Sequence, residues 1–225
     1  MTFYEINRSY DPNVTGVRNG RSPFLINEKK TFISKEAKER YDKYNKSIDT
    51  DINKLFLNEF TPINSVEVSE IEVFPISKRV KLTDWMQVSP REIGFTFLFS
   101  KKLVNLIDSY RMPQYNKLTT KIAGHTNDYF LVGFPIIDES FINFENTIFY
   151  DDIHKKKIQF STYEDYKVFF EMNTFIQPTD IYLNKKINYD IIRIRSRYFF
   201  SEYLISEMEK SNILGYEKLS GVLHN

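Results

Sequence analysis

The stretch Phe99-Ser100-Lys101-Lys102-Leu103-Val104-Asn105-Leu106-Ile107-Asp108-Ser109-Tyr110-Arg111-Met112-Pro113-Gln114-Tyr115-Asn116-Lys117-Leu118 decides the fold, because a second version of it follows later in the chain. It aligns without a gap to Phe200-Ser201-Glu202-Tyr203-Leu204-Ile205-Ser206-Glu207-Met208-Glu209-Lys210-Ser211-Asn212-Ile213-Leu214-Gly215-Tyr216-Glu217-Lys218-Leu219. Phe99/Phe200, Ser100/Ser201, Leu103/Leu204, Tyr115/Tyr216, Lys117/Lys218 and Leu118/Leu219 are identical. Each copy reads as a strand ending in Phe, a Ser whose hydroxyl caps the exposed N–H groups of a helix, and a turn into another strand. Leu103, Leu106, Ile107 and Tyr110 fall on one helical face at the i, i+3, i+4, i+7 spacing, and Pro113 stops the helix. Repeat units are therefore predicted over 95–122 and 191–219.

Outward from the repeat, Gly94 to Phe99 reads as a buried strand, and strand-like segments recur at 116–123, 129–134, 147–150 and 189–194. Val66, Val68, Ile71 and Val73 alternate with polar residues, as in a strand with one wet face. A short strand is expected at Phe3 to Ile6, and the pair Asn19-Gly20 suggests a hairpin or tight loop. Ser34 precedes a run of helix formers, which places a capped helix near 34–58. Ser161 or Thr162 caps another, carrying Tyr166, Phe169 and Phe170. The fold expected is α+β: a mostly antiparallel sheet with helices packed against it, containing a twice-occurring strand–helix–strand unit. No Pro-, Gly- or Ser-rich boundary divides the chain, so 1–225 is read as one domain, with an N-terminal part over 1–81 and the repeat-bearing part over 82–219.

Composition narrows the function classes. Apolar residues make up 41% and charged residues 27%, the balance of a folding chain. Lys plus Arg number 31 against 30 acids, so no basic excess advertises a nucleic-acid binder. With no cysteine, disulfides, thiol nucleophiles and thiolate metal sites are absent together. No signal-like N-terminus and no run of about 20 apolar residues is present, so a cytoplasmic protein without a membrane anchor is expected.

No catalytic constellation stands out. His125, His154 and His224 are isolated, and Asp151-Asp152-Ile153-His154 sets its two carboxylates pointing apart on an extended chain. Ser100 and Ser201 lack the G-x-S-x-G context of a nucleophile elbow and, with Ser34, read as helix caps. No glycine-rich phosphate loop occurs. An enzyme is not expected, nor is a metal or other cofactor. Two features favour binding. Arg193, Arg195 and Arg197 alternate with Ile192 and Ile194, which would place three guanidinium groups on one face of a regular strand. Residues 138–152 carry Asp138, Glu139, Glu145, Asp151 and Asp152 among Phe144 and Tyr150 with no Lys or Arg, a surface suited to a basic partner. Solvated faces paired with neighbouring charges are the plainer reading of both.

The pair Phe99-Ser100-x-x-Leu103 to Pro113 and Phe200-Ser201-x-x-Leu204 to Gly215-Tyr216-Glu217, with Tyr189-Asp190-Ile191-Ile192-Arg193-Ile194 before the second, resembles the bacterial polymorphic-toxin immunity proteins. Leu82-Thr83-Asp84-Trp85 and Ile142-Asn143-Phe144-Glu145-Asn146-Thr147 also follow that family's pattern, though Asn143 stands where the family has Asp. The resemblance spans 82–219. It implies neutralisation of a cognate protein toxin by complex formation in the producing cell's cytoplasm, and it carries over no catalytic residue. Two alternatives stay open: an enzyme or module gripping nucleic acid or a phosphorylated ligand through Arg193, Arg195 and Arg197, and a structural homo-oligomer.

Overall fold

In the computed structural model, which describes residues 1–18, 20–27, 29–63, 68 and 71–225, helices are interspersed among runs of strands. In order these are β1 (Thr2–Arg8), α1 (Pro12–Thr15), β2 (Phe24–Leu25), α2 (Lys35–Thr50), β3 (Ile71–Pro75), β4 (Trp85–Glu92) and β5 (Phe95–Ser100). They continue with α3 (Lys101–Asp108), β6 (Asn116–Ile122), β7 (Tyr129–Gly133), β8 (Ile148–Asp151), β9 (Lys156–Ile158) and α4 (Tyr163–Met172). The last are β10 (Ile176–Tyr182), β11 (Ile191–Ile194), β12 (Arg197–Ser201), α5 (Glu202–Lys210) and β13 (Tyr216–His224). The architecture is α+β, with mixed, mostly antiparallel sheets and helices packed against them.

The chain divides into two compact units. One comprises Arg8–Pro135 with Ser206–Glu217, the other Met1–Asn7 with Ile136–Ile205 and Lys218–Asn225. The first holds a closed barrel in the order β2-β3-β6-β7-β5-β4. Closure follows from the short β2, which pairs antiparallel with β3 and parallel with β4 through the same two residues, Phe24 and Leu25. Its interior is apolar, with Phe24, Tyr41, Val73, Met86, Phe95, Leu98, Leu118 and Leu131 all buried. Asn116 is one of the polar residues buried in this unit. Its Oδ1 accepts from Ile63 N at 2.9 Å, and its Nδ2 donates to Gly94 O at 2.8 Å and to the Tyr44 hydroxyl at 2.7 Å, so these bonds offset the cost of burying the amide.

The second unit holds a seven-stranded sheet in the order β11-β12-β1-β13-β10-β8-β9. Its first six strands repeat the barrel's order β4-β5-β7-β6-β3-β2. The senses agree as well: β4/β5 and β11/β12 are antiparallel, as are β5/β7 and β12/β1, while β3/β6 and β10/β13 are parallel. The duplicated piece expected from the sequence is present as β5–α3–β6 and β12–α5–β13. The recurrence is wider than that piece, with one exchange of origin: the place beside β12 that corresponds to β7 is taken by β1.

Both copies use their serine as expected. Ser100 Oγ accepts from Leu103 N at 3.2 Å and donates to Asp84 Oδ1 at 2.6 Å, and Ser201 Oγ accepts from Leu204 N at 3.2 Å. An aspartate upstream completes each copy, since Ser100 N donates to Asp84 O and Ser201 N to Asp190 O, both at 2.9 Å. Ser34 Oγ accepts from Ala37 N at 3.0 Å and caps α2, which yields to a 3-10 turn at Ile52–Leu55. Features that escape the sequence pattern include the short strands β2 and β9, α1, a single turn capped by Asp11, and β10, whose Pro178 argues locally against a strand. Val66 and Asn19, of the alternating run and the Asn-Gly pair, lie outside the described residues. Among those described, no helix is long and apolar enough to cross a membrane.

Candidate binding surface

The residues singled out for partner binding all belong to the unit built on the seven-stranded sheet, where α4 is the organising element. Thr162 Oγ1 accepts from Asp165 N at 3.1 Å and starts the helix, with Glu164 and Asp165 complementing its positive end. Tyr166 is its one buried residue, and its ring lies 5.0 Å from Phe149, 5.3 Å from Phe144 and 5.5 Å from Phe160. Phe169 and Phe170, three and four residues on, share that face and are half-buried. With the inner face so occupied, Val168 and Met172 point outward, 58% and 76% exposed. Phe175 just past the helix is 62% exposed, and Asp152 N donates to its carbonyl at 2.9 Å, which brings the 56%-exposed Ile153 beside it in the chain trace. Glu164, Asp165 and Glu171 are exposed on the same helix against a single cation, Lys167.

The arginines do not share one strand face. The strand ends at Ile194, and Arg195 and Ser196 form the turn into β12, with Arg195 at φ 53°. Each guanidinium is spoken for within the unit. Arg193 is buried, donates from Nε to Arg195 O at 2.9 Å and stands 5.3 Å over the Tyr198 ring. Arg195 pairs with Glu139, donates to the Tyr166 hydroxyl at 2.7 Å and lies 5.1 Å from the Phe170 ring centre. Burial alone lowers its pKa, but Glu139 and Tyr166 outweigh that and keep it above the ordinary arginine value. Arg197 grips Glu5 through both carboxylate oxygens, at 2.9 and 2.5 Å, and donates to Pro178 O.

The acids divide in the same way. Asp151 is fully buried: its Oδ1 accepts from Ile153 N at 2.9 Å and His154 N at 3.0 Å, and its Oδ2 lies 2.7 Å from His154 Nδ1. Burial pushes this carboxyl up, yet those bonds prevail and hold it well below the usual carboxylate range. It locks the β8–β9 turn. Phe144 is likewise buried, stacked on Phe149 at 6.1 Å. Asp138 caps the 3-10 turn Glu139–Phe141 by accepting from Ser140 N at 2.7 Å. Asp152 accepts from Gln177 Nε2 at 3.0 Å and stays partly exposed, as does Tyr150, while Glu145 is exposed. Glu145 also lines a groove of about 320 Å³ at the start of α4, with Ser140, Asn143, Thr162, Tyr163 and Asn184.

His154 is tied to Asp151, His224 stacks on Tyr182 at 4.4 Å, and among the described residues no group of three His, Asp or Glu could hold a metal ion. The arrangement offers an apolar patch rimmed by carboxylates. Val168, Met172, Phe175 and Ile153 were not among the residues marked by sequence. Their signal was present: a helix with Tyr166, Phe169 and Phe170 on one side and Val168 and Met172 on another is apolar on more faces than one sheet can cover. No protein-family model matches the chain, and no curated protein matches it.

Proposed function

We propose that the protein is an immunity-type binding protein that neutralises a cognate bacterial toxin by complex formation in the cytoplasm, through the outer face of α4. The observation that carries this reading is the exposure of Val168 and Met172 on a helix whose inner aromatic face is already packed. Apolar anchors ringed by Glu164, Asp165 and Glu171 suit a toxin with a basic surface: carboxylates steer the encounter and the apolar side chains supply the buried centre. The resemblance over 82–219 supports the same class. The alternative of a phosphate-gripping face made by Arg193, Arg195 and Arg197 has less support, because all three are engaged by neighbouring groups.

Co-expression with the toxin encoded beside its gene tests the proposal. Wild-type protein is expected to rescue growth, and Val168→Asp with Met172→Asp is expected to abolish rescue and weaken binding by about 100-fold, the loss of roughly two anchor side chains. Both positions are exposed, so the circular dichroism and urea midpoint of the variant should match wild type. Rescue undiminished in the variant overturns the assigned face, and failure to bind any adjacent toxin overturns the function. A wild-type dimer that the variant dissociates would assign the same face to self-association instead.

A further inference from the structure

The barrel unit carries a second concavity of opposite character. The chain leaving α1 and the connection from β3 to β4 are clipped together by Lys81 N donating to Thr15 O and Ile76 N donating to Pro23 O, both at 3.0 Å. Gly16, at φ 70°, approaches so closely that a Cβ there would stand 1.9 Å from the Arg79 carbonyl oxygen, so these walls are fixed against each other. Alongside lies a groove of about 480 Å³ lined by Arg18, Arg21, Lys78 and Arg79, with Val17 and Ile76 as its apolar part. Among the described residues, no acidic side chain lines it. All four cations are exposed, and none forms an ion pair among the described residues. The buried Arg8 donates to the Gly20 carbonyl at 2.5 Å and to the Arg21 carbonyl at 3.3 Å, which fixes the backbone that carries Arg21.

We infer that this groove binds a multiply charged phosphate group, such as the di- or triphosphate of a small molecule. Three guanidinium groups and one ammonium with no counter-ion among the described residues repel one another, and a ligand that presents several oxyanions relieves this while matching the forked donors of arginine. The volume is that of a small-molecule site. Among the described residues no aromatic ring lines the groove to stack a base, so the phosphates rather than a nucleoside are the recognised part. The site is independent of the α4 face and of the function proposed for it.

Isothermal titration of the full chain with sodium tripolyphosphate, a nucleoside triphosphate, sulfate and a single-stranded oligonucleotide tests this. Tripolyphosphate and the nucleoside triphosphate are expected to bind within about 3-fold of each other, sulfate at least about 10-fold more weakly, with affinity falling as salt rises. The double variant Arg21→Gln, Arg79→Gln should weaken tripolyphosphate about 10- to 100-fold with an unchanged urea midpoint. An absence of binding at millimolar ligand, or equal binding by the variant, overturns the site. An oligonucleotide that binds more tightly than tripolyphosphate and is equally sensitive to the variant overturns the small-molecule assignment in favour of nucleic acid.

Discussion

Asp151 shows how a residue that reads as surface chemistry becomes a fixture. Its carboxylate accepts three hydrogen bonds at full burial, and its pKa is held below the unfolded value of 3.8. A group with a depressed folded pKa stabilises the fold fully above its unfolded pKa, and that contribution fades as the pH drops below about 3.8 toward the folded value. Asp151→Asn should therefore lower the urea midpoint at pH 7, and its deficit against wild type should narrow when the pair is compared at pH 3. A deficit that is constant across that range would show that the carboxylate's charge plays no part. The three arginines teach the same lesson by another route. Alternation in Ile192-Arg193-Ile194-Arg195-Ser196-Arg197 is what a single strand looks like, and nothing in Arg195-Ser196 carries the Gly, Asn or Asp that marks a two-residue turn. The partners of Arg195 and Arg197, namely Glu139, Tyr166 and Glu5, are distant in sequence, so those pairings had no local trace.

At the scale of elements, the helix starts were the most legible feature, because a cap acts over three residues and its chemistry is local. Ser100 and Ser201 bond their N3 amides in both copies. Replacing either by Ala should cost about 1 kcal/mol in urea denaturation. The loss should be larger at Ser100, whose hydroxyl also donates to Asp84 Oδ1, a carboxylate that holds Leu214 N at 2.9 Å through its other oxygen. Equal losses at both positions would mean that Asp84 finds another donor. The α4 surface was half-legible. Its inner aromatics were recognisable from helical spacing, whereas the outer Val168 and Met172 acquire meaning only once the packed side is known.

Across the whole molecule, the same strand order appears in both units, yet the second is completed by β1, the strand expected at Phe3 to Ile6, whose place in the sheet nothing local announces. Phe3 pairs with Ser201 and Ile6 with Tyr198, and β1 sits between β12 and β13 rather than at an edge. A chain lacking residues 1–8 should lose slow amide exchange in β11, β12 and β13 while β5, β6 and β7 keep theirs, as measured by hydrogen exchange. Protection unchanged in β12 would show that the strand is dispensable. The placement of β1 also sets a schedule for biosynthesis. Glu5 and Arg197 stand 192 positions apart, so at a translation rate of roughly 5–20 residues per second the first strand emerges about 10–40 s before its neighbour exists. Throughout that interval Phe3 and Ile6 are without their sheet partners, exposed to chaperones and to other nascent chains, while the barrel segments between them are already able to close.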